Sequence, residues 1–286
     1  MAPFVRAGLE RGDAVFAATK GANVAALREE LGDDAERVWL EDTNAWRVRP
    51  YDRLQAFKQM VAELEPGQAL SAMGEPVWVG TAAVIRQWAR YESIVNLALA
   101  DAPMRFVCLY DRAALPDDIL RYAVQTHPER IGEDGDTIAC EHFVPPGEFV
   151  AGTPTSRADD ALELSIDLPA LRRLLADYGV DLGEPRERVD ELVLAASEVA
   201  TNALRHGGAT GSEVGVWSDD DEIVCQIRDS GDWRPDPLAG WLPPAAGSGG
   251  GWGLPIARQL CDAVEIVHAE GGGTTVSLHF ARSAPG

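Results

Sequence analysis

The chain is poor in the residues that mark several common kinds of protein. Only four of its 286 residues are cysteine (Cys108, Cys140, Cys225, Cys261), and no two sit in a CxxC pair. That spacing speaks against a zinc site or disulfide framework and leaves buried, reduced thiols as the expectation. No run of about 18 apolar residues is present, so no segment reads as a membrane span. The start, MAPFVRAGLERGD, lacks the apolar core of a signal peptide, and a cytoplasmic protein is expected. Cationic residues are scarce: 25 Lys+Arg stand against 46 Asp+Glu, a formal net charge of −21. The deficit is shared, with 15 against 23 in residues 1–145 and 10 against 23 in residues 146–286. Proteins that neutralise DNA phosphates use a basic face, so direct nucleic-acid binding is not expected. A nucleotide site here has to rely on backbone N–H groups, a metal ion and one or two arginines. Internal repeats are absent too, and so is a GxxxxGK[ST] phosphate loop. The first strand is followed only by ATKGAN around Lys20 and Gly21.

What is present is a globular composition, 46% hydrophobic and 25% charged. The clearest break is VPPGEFVAGTPTSRADD, rich in Pro, Gly, Thr and Asp and without apolar periodicity. It divides the chain into domains at 1–145 and 161–286 with a linker at 146–160. In the first half, short apolar runs at 14–19, 37–42, 70–75 and 104–111 alternate with helical patterns at 23–31, about 50–64, about 81–100 and LPDDILRYAVQTHP. Continuous apolar strands alternating with helices predict an α/β domain, a mostly parallel sheet with helices on both faces. A ligand in such a fold lies beyond the carboxyl ends of the strands.

The second half has a different rhythm. ALELSID (161–167) reads as a strand, LPALRRLLADYG (168–179) as a helix closed by Gly179, and 186–207 as a long helix. Strand patterns follow at 213–218, 222–229, 263–269 and 274–280, the first pair joined by an acidic turn and the last by a glycine turn. These are antiparallel hairpins, which predicts an α+β sandwich with helices on one face of the sheet. A long irregular stretch (230–250) and one helix (253–261) lie between the hairpins, and a loop of that length is usually a functional lid or disordered.

Glu198 and Asn202 are one helical turn apart on the long helix and share a face beside apolar neighbours. Alone, this pair reads as a solvated stripe. Further on, a strand ends in Asp229-Ser230-Gly231. An acid there can accept a hydrogen bond from an exocyclic amine, and the glycine lets a flat ring approach the backbone. Next, GSGGGWGLPIARQLCD leads several glycines into a helix start, where free N–H groups and the helix dipole favour phosphate. Gly273 and Thr274 then open the last strand.

In this order, SEVATNALRHG, RDSGDWRP, GGGWGLPIARQLCD and GGTTVSLHF resemble the GHKL (Bergerat) ATP-binding fold, and most of all its anti-sigma-factor serine kinase branch. The resemblance covers roughly 160–281. It implies ATP and Mg²⁺ as cofactors, with Asn202 as the Mg²⁺ ligand and Glu198 as the catalytic group at the attacking hydroxyl. Asp229 would accept from the adenine amino group beside Gly231. Gly249, Gly251, Gly253 and Leu254 would line the phosphates, Arg205 would add positive charge, and Thr274 would support the adenine end. Two tryptophans depart from the pattern: Trp233 stands where many relatives carry glycine, and Trp252 lies inside the lid. Neither upstream histidine, His127 or His142, lies on a long coiled-coil-like helix, and no transducer domain is expected after the last strand.

The first half resembles the MEDS sensory domain through PFVRAGLERGDAVFAAT, GEPVW, YESIVNLAL, CLYD and THP, over about 3–135. That resemblance implies a sensory role for an unidentified small molecule, with Glu75, Trp78, Glu92, Tyr110 and Asp111 as pocket residues. The expectation is therefore a regulatory kinase that phosphorylates a serine of a STAS-type anti-anti-sigma protein, binds a sigma factor, or both. The alternative is a non-catalytic regulator with a structural or vacant nucleotide site. A homodimer is left open.

Overall fold

The computed structural model describes residues 1–45, 49–132, 134–152, 164–165, 167–206, 212–231, 236–244, 247, 250–268 and 272–283. The chain forms two compact units, one of residues 1–78 and 95–144, the other of residues 79–94 and 145–286.

The first unit begins with α1 (Ala2–Arg11), which was not anticipated from the sequence and which Gly12 closes at φ 78°. Then come β1 (Ala14–Thr19), α2 (Gly21–Leu31), β2 (Val38–Asp42), α3 (Pro50–Ala62) and β3 (Leu70–Gly74). Helix α4 (Ala82–Ala98) is divided between the units, its last four residues falling in the first. After it follow β4 (Met104–Cys108), α5 (Asp117–Thr126) and a small exposed hairpin of β5 (Glu129–Ile131) and β6 (Thr137–Ala139). The main sheet is parallel throughout, in the order β2-β1-β3-β4. Strand β1 is buried on both faces, which is why it reads as a continuous apolar run. Val15 and Ala17 pack with Ala2, Val5, Leu9, Leu27 and Leu31, while Phe16 and Ala18 pack with Phe57 of α3. The expected parallel sheet with flanking helices is the one found.

The second unit contains β7 (Leu164–Ser165), α6 (Leu168–Asp181), α7 (Arg186–His206), β8 (Glu213–Ser218), β9 (Glu222–Asp229), α8 (Gly253–Leu260), β10 (Ala263–His268) and β11 (Thr274–Ala281). The strands form one antiparallel sheet in the order β10-β11-β9-β8-β7. Cys225, Ile227, Val276, Leu278 and Phe280 face Leu175 of α6, Leu192, Ala195 and Val199 of α7, and Ala257 of α8. Truncating Leu175 or Leu192 to alanine in this core costs about 2–5 kcal/mol. The expected α+β sandwich is the architecture seen. Gly179 does not end α6 as expected. The helix runs on to Asp181, and a Cβ at Gly179 would lie 2.8 Å from Val189, so this glycine permits the close approach of α6 and α7. None of the four cysteines forms a disulfide; Cys225 and Cys261 are buried as expected, Cys108 and Cys140 only half so, and burial pushes the Cys225 thiol up to about 12, which keeps it inert.

The face of this sheet turned away from α6, α7 and α8 is buried as well. Trp217, Val224, Gln226, Ser277 and His279 lie on it, and Gln226 donates to Ser277 at 2.9 Å. Arg86 of α4 reaches Glu265 of β10 there, and Arg90 donates to the carbonyl of the buried Phe149 at 2.7 Å.

Candidate functional site

Two glycines bring the chemistry of the second unit together. Gly253 opens α8 directly against α7: a Cβ there would lie 2.5 Å from Asn202 Nδ2 and 3.4 Å from the Glu198 carbonyl oxygen. No other residue type allows the helix start to approach the Glu198–Asn202 face so closely. Both side chains are half-buried, and among the described residues neither holds a hydrogen bond or ion pair. The α8 start is also where backbone N–H groups are free of intrahelical partners, with Pro255 removing one of them.

The other glycine, Gly231, closes the end of β9. Asp229 Oδ1 accepts from its backbone N–H at 2.8 Å, and a Cβ at Gly231 would lie 2.3 Å from the His206 carbonyl oxygen at the end of α7. Asp229 pairs across the sheet with Thr274, so their side chains share the helix-facing side. Gly273 holds φ 94° and donates its N–H to the Gly231 carbonyl at 3.1 Å. Thr274 is 5% exposed, and its hydroxyl has no hydrogen-bond partner among the described residues. A buried hydroxyl left unpaired costs about 1–3 kcal/mol, so this one marks a position where an incoming polar group is favoured. His268 pairs with Thr274 from β10; burial lowers its pKa, and Asp229 opposes that shift. The sequence reading left His268 out of the site, because only the register of β10 against β11 places it there.

The remaining predicted residues divide clearly. Leu254 is half-buried beneath Gly240, where a Cβ would lie 2.7 Å from Leu254 Cβ, and it packs against the core. Gly251 holds φ 90°, and Trp252, at the N-cap of α8, is 52% exposed, pointing away from a role in filling the site. Arg205 is exposed on the last turn of α7 and is not brought onto the other groups. Gly249 and Trp233 lie outside the described residues.

An unspent Asn and Glu, a buried orphan hydroxyl and glycines at each close approach form a donor set that suits Mg²⁺ and an adenine nucleotide.

In the first unit, Glu75 lies just past β3, beside the end of β1, where the strand order reverses direction. This is the position where open α/β sheets bind ligands. The buried Glu75 carboxylate accepts from the Thr19 hydroxyl at 2.6 Å, Asn23 Nδ2 at 3.1 Å and the Lys20 backbone N–H at 3.2 Å, and pairs with Lys20 Nζ at 2.6 Å. Burial alone would raise its pKa, but the hydrogen bonds from Lys20 and Thr19 outweigh that and hold it below the ordinary value. Trp78 packs near Tyr110 and Tyr122, ring centroids 6.4 and 6.5 Å apart. Asp111 lies just beyond Tyr110 and is exposed, and Glu92 belongs to the part of α4 in the other unit.

Helices on one face of an antiparallel sheet, with an Asn-bearing helix, an Asp-x-Gly strand end and a glycine-opened helix around one site, define a GHKL-type ATPase domain. Residues 162–280 match the family described as histidine kinase-like ATPase domain. Residues 1–128 match MEDS, the methanogen/methylotroph, DcmR sensory domain. The chain thus carries a MEDS domain followed by a histidine kinase-like ATPase domain. A crystal structure of the RsbU and RsbW domains of Rv1364c from Mycobacterium tuberculosis is similar at 25% identity. The likeness covers 44% of this chain and 33% of that one, and its TM-score of 0.34 is too low to bear on function. Among the described residues no helix is long and apolar enough to cross a membrane.

Proposed function

We propose that the second unit binds Mg·ATP and transfers its terminal phosphoryl group to a serine of a STAS-type anti-anti-sigma protein, giving phosphoserine and ADP. The MEDS domain would regulate that transfer in response to a small molecule. The observation that carries the reading is the set of unspent polar groups, Glu198, Asn202 and the Thr274 hydroxyl, gathered around glycines that permit close approach. In this reading Asn202 holds Mg²⁺, which supplies charge neutralisation between phosphates. Glu198 orients the serine hydroxyl and accepts its proton, and Asp229 and Thr274 fix the adenine. Phosphoryl transfer needs mainly positioning and charge stabilisation, which such a set supplies without lysines. The serine-kinase assignment within GHKL proteins rests on the sequence resemblance of SEVATNALRHG and GGGWGLPIARQLCD.

The test is transfer of radiolabelled γ-phosphate to a co-encoded STAS protein. Glu198→Ala is expected to reduce transfer by about 10²–10⁴-fold, the usual worth of a general base, while ATP binding changes little. ATP binding without transfer by the unaltered chain would overturn the kinase reading in favour of a non-catalytic regulator.

A further inference from the structure

Arg258 lies on α8, five residues beyond the glycine that touches Asn202. It is 5% exposed, yet among the described residues no carboxylate pairs with it. Its Nε donates to the Ala239 carbonyl at 3.0 Å, and its guanidinium lies 4.4 Å over the ring of the fully buried Trp241. These contacts tie the 239–241 segment, downstream of Asp229, to the helix that presents the phosphate-facing N–H groups. Nη1 donates to the Val264 carbonyl at 3.3 Å, and a further partner comes from α4. With its amide oriented so that both of its atoms are paired, Gln87 accepts from Arg258 Nη1 at 3.1 Å and donates to the Val264 carbonyl at 3.2 Å. Tyr91, one turn on, packs toward Trp241 with ring centroids 6.2 Å apart, and Arg86, one residue earlier, pairs with Glu265. Residues 82–94 therefore grip both the lid helix and the strand that follows it.

The charge balance of this grip is unusual. Burial pushes Arg258 down to about 9, and the nearby Arg90 adds to the shift. A desolvated cation normally requires a carboxylate. Here α4 brings a neutral amide and a second cation. The guanidinium is thus held by carbonyls, an amide and an aromatic face, with no carboxylate among the described residues locking α4 to α8.

We propose that residues 82–94 form a releasable clamp on the ATP lid helix, with Gln87 as the catch and Arg258 as its keeper. Engaged, the clamp holds the α8 start in place against Asn202 and so favours nucleotide binding. Released, it lets α8 and the 239–241 segment loosen together. Helix α4 runs without interruption into the first unit, which gives the sensory domain a mechanical handle on the lid. The inference rests on the ATP-binding reading above and adds the regulation of that site. Arg258 and Gln87 are positioning residues, since neither is proposed to touch nucleotide.

Two substitutions in the full chain pull in opposite directions. Gln87→Ala removes the catch. Gln87→Glu is nearly isosteric and supplies the missing negative charge beside Arg258, at the loss of the hydrogen bond to the Val264 carbonyl. Hydrogen exchange of residues 253–261 without nucleotide reads the clamp itself, and calorimetry with Mg·ATP reads its consequence. The expected result is about tenfold faster exchange and about fivefold weaker ATP binding for Gln87→Ala, a change of the size a lost hydrogen bond gives. Gln87→Glu is expected to slow exchange and tighten binding. Thermal unfolding confirms that both variants are folded; Gln87→Glu keeps the test sharp if the alanine variant is not. Unchanged exchange at 253–261 in a folded variant would overturn the clamp while leaving the ATP reading intact. If the unaltered chain fails to bind ATP, the ATP reading falls and the regulatory purpose of the clamp falls with it.

Discussion

The two units each gather polar groups at the ends of strands, and they treat them in opposite ways. Past β1 and β3, the Glu75 carboxylate is met by Thr19, Asn23, the Lys20 backbone and the Lys20 ammonium. Every group there is spent on another part of the protein. Around α7 and α8, Glu198 and Asn202 hold no partner among the described residues, and the buried Thr274 hydroxyl holds none either. A closed network of this kind contributes stability and needs nothing from outside. An open one costs stability in isolation and recovers it when something polar arrives. Burial and residue type alone would rank both clusters as sites, and only the state of their hydrogen bonds separates them.

Three substitutions sharpen that contrast. The largest effect is expected for Asn202→Ala, which should weaken Mg·ATP binding by about 10–100-fold by calorimetry, as loss of a metal-site group does, with little change in unfolding temperature. Glu75→Gln should do the reverse. It removes charge from a buried network and is expected to destabilise the first unit by about 1.5–3 kcal/mol in denaturant unfolding, while Mg·ATP affinity stays within twofold. Its pH signature follows from sign. Glu75 is held below its ordinary value of 4.5, so its stabilisation is present above that pH and is lost as pH falls through the lower folded value. The E75Q variant should lack this acid-dependent loss. The smallest effect is expected for Thr274→Val. It removes an unpaired buried hydroxyl, so thermal stability should hold or rise slightly while ATP affinity falls about fivefold. A Thr274→Val chain that loses stability and keeps its affinity would place Thr274 with Glu75 among the structural groups and break the contrast.

Much of this was legible in the sequence, for identifiable reasons. Strand β1 is buried on both faces, so its apolar run announced itself, and the hairpins of the second unit carried their own turn residues. Glu198, Asn202, Asp229 and the glycines stood out only as an ordered set that resembles the GHKL pattern, since the Glu198–Asn202 pair alone reads as a solvated stripe. What stayed hidden lacked local pattern. The strands of the β5–β6 hairpin are exposed along their whole length, so they show no alternation. Gly179 had the look of a helix stop, but its value lies in contact with Val189, which is set by packing between helices. His279 falls at an outward position on β11, where a polar residue implies solvent. In fact it is 1% exposed, 3.3 Å from both Glu222 and Glu265. Burial alone would lower its pKa, but the two carboxylates raise it. Nothing within β11 shows that its outer face is covered.

That covered face has a consequence for anyone who would take the molecule apart. The second compact unit is not one stretch of chain: it borrows residues 79–94 from within the span that matches the sensory family. A fragment cut at the boundaries of the ATPase match, 162–280, would leave behind Arg86, Gln87, Arg90 and Phe149. Glu265 would then lose Arg86 and keep only His279, Arg258 would lose its amide acceptor, and Trp241 would lose Tyr91. The histidine kinase-like ATPase domain is thus not portable as a block of sequence. A graft or truncation has to carry the borrowed helix with it, or replace it with something that fills the same groove.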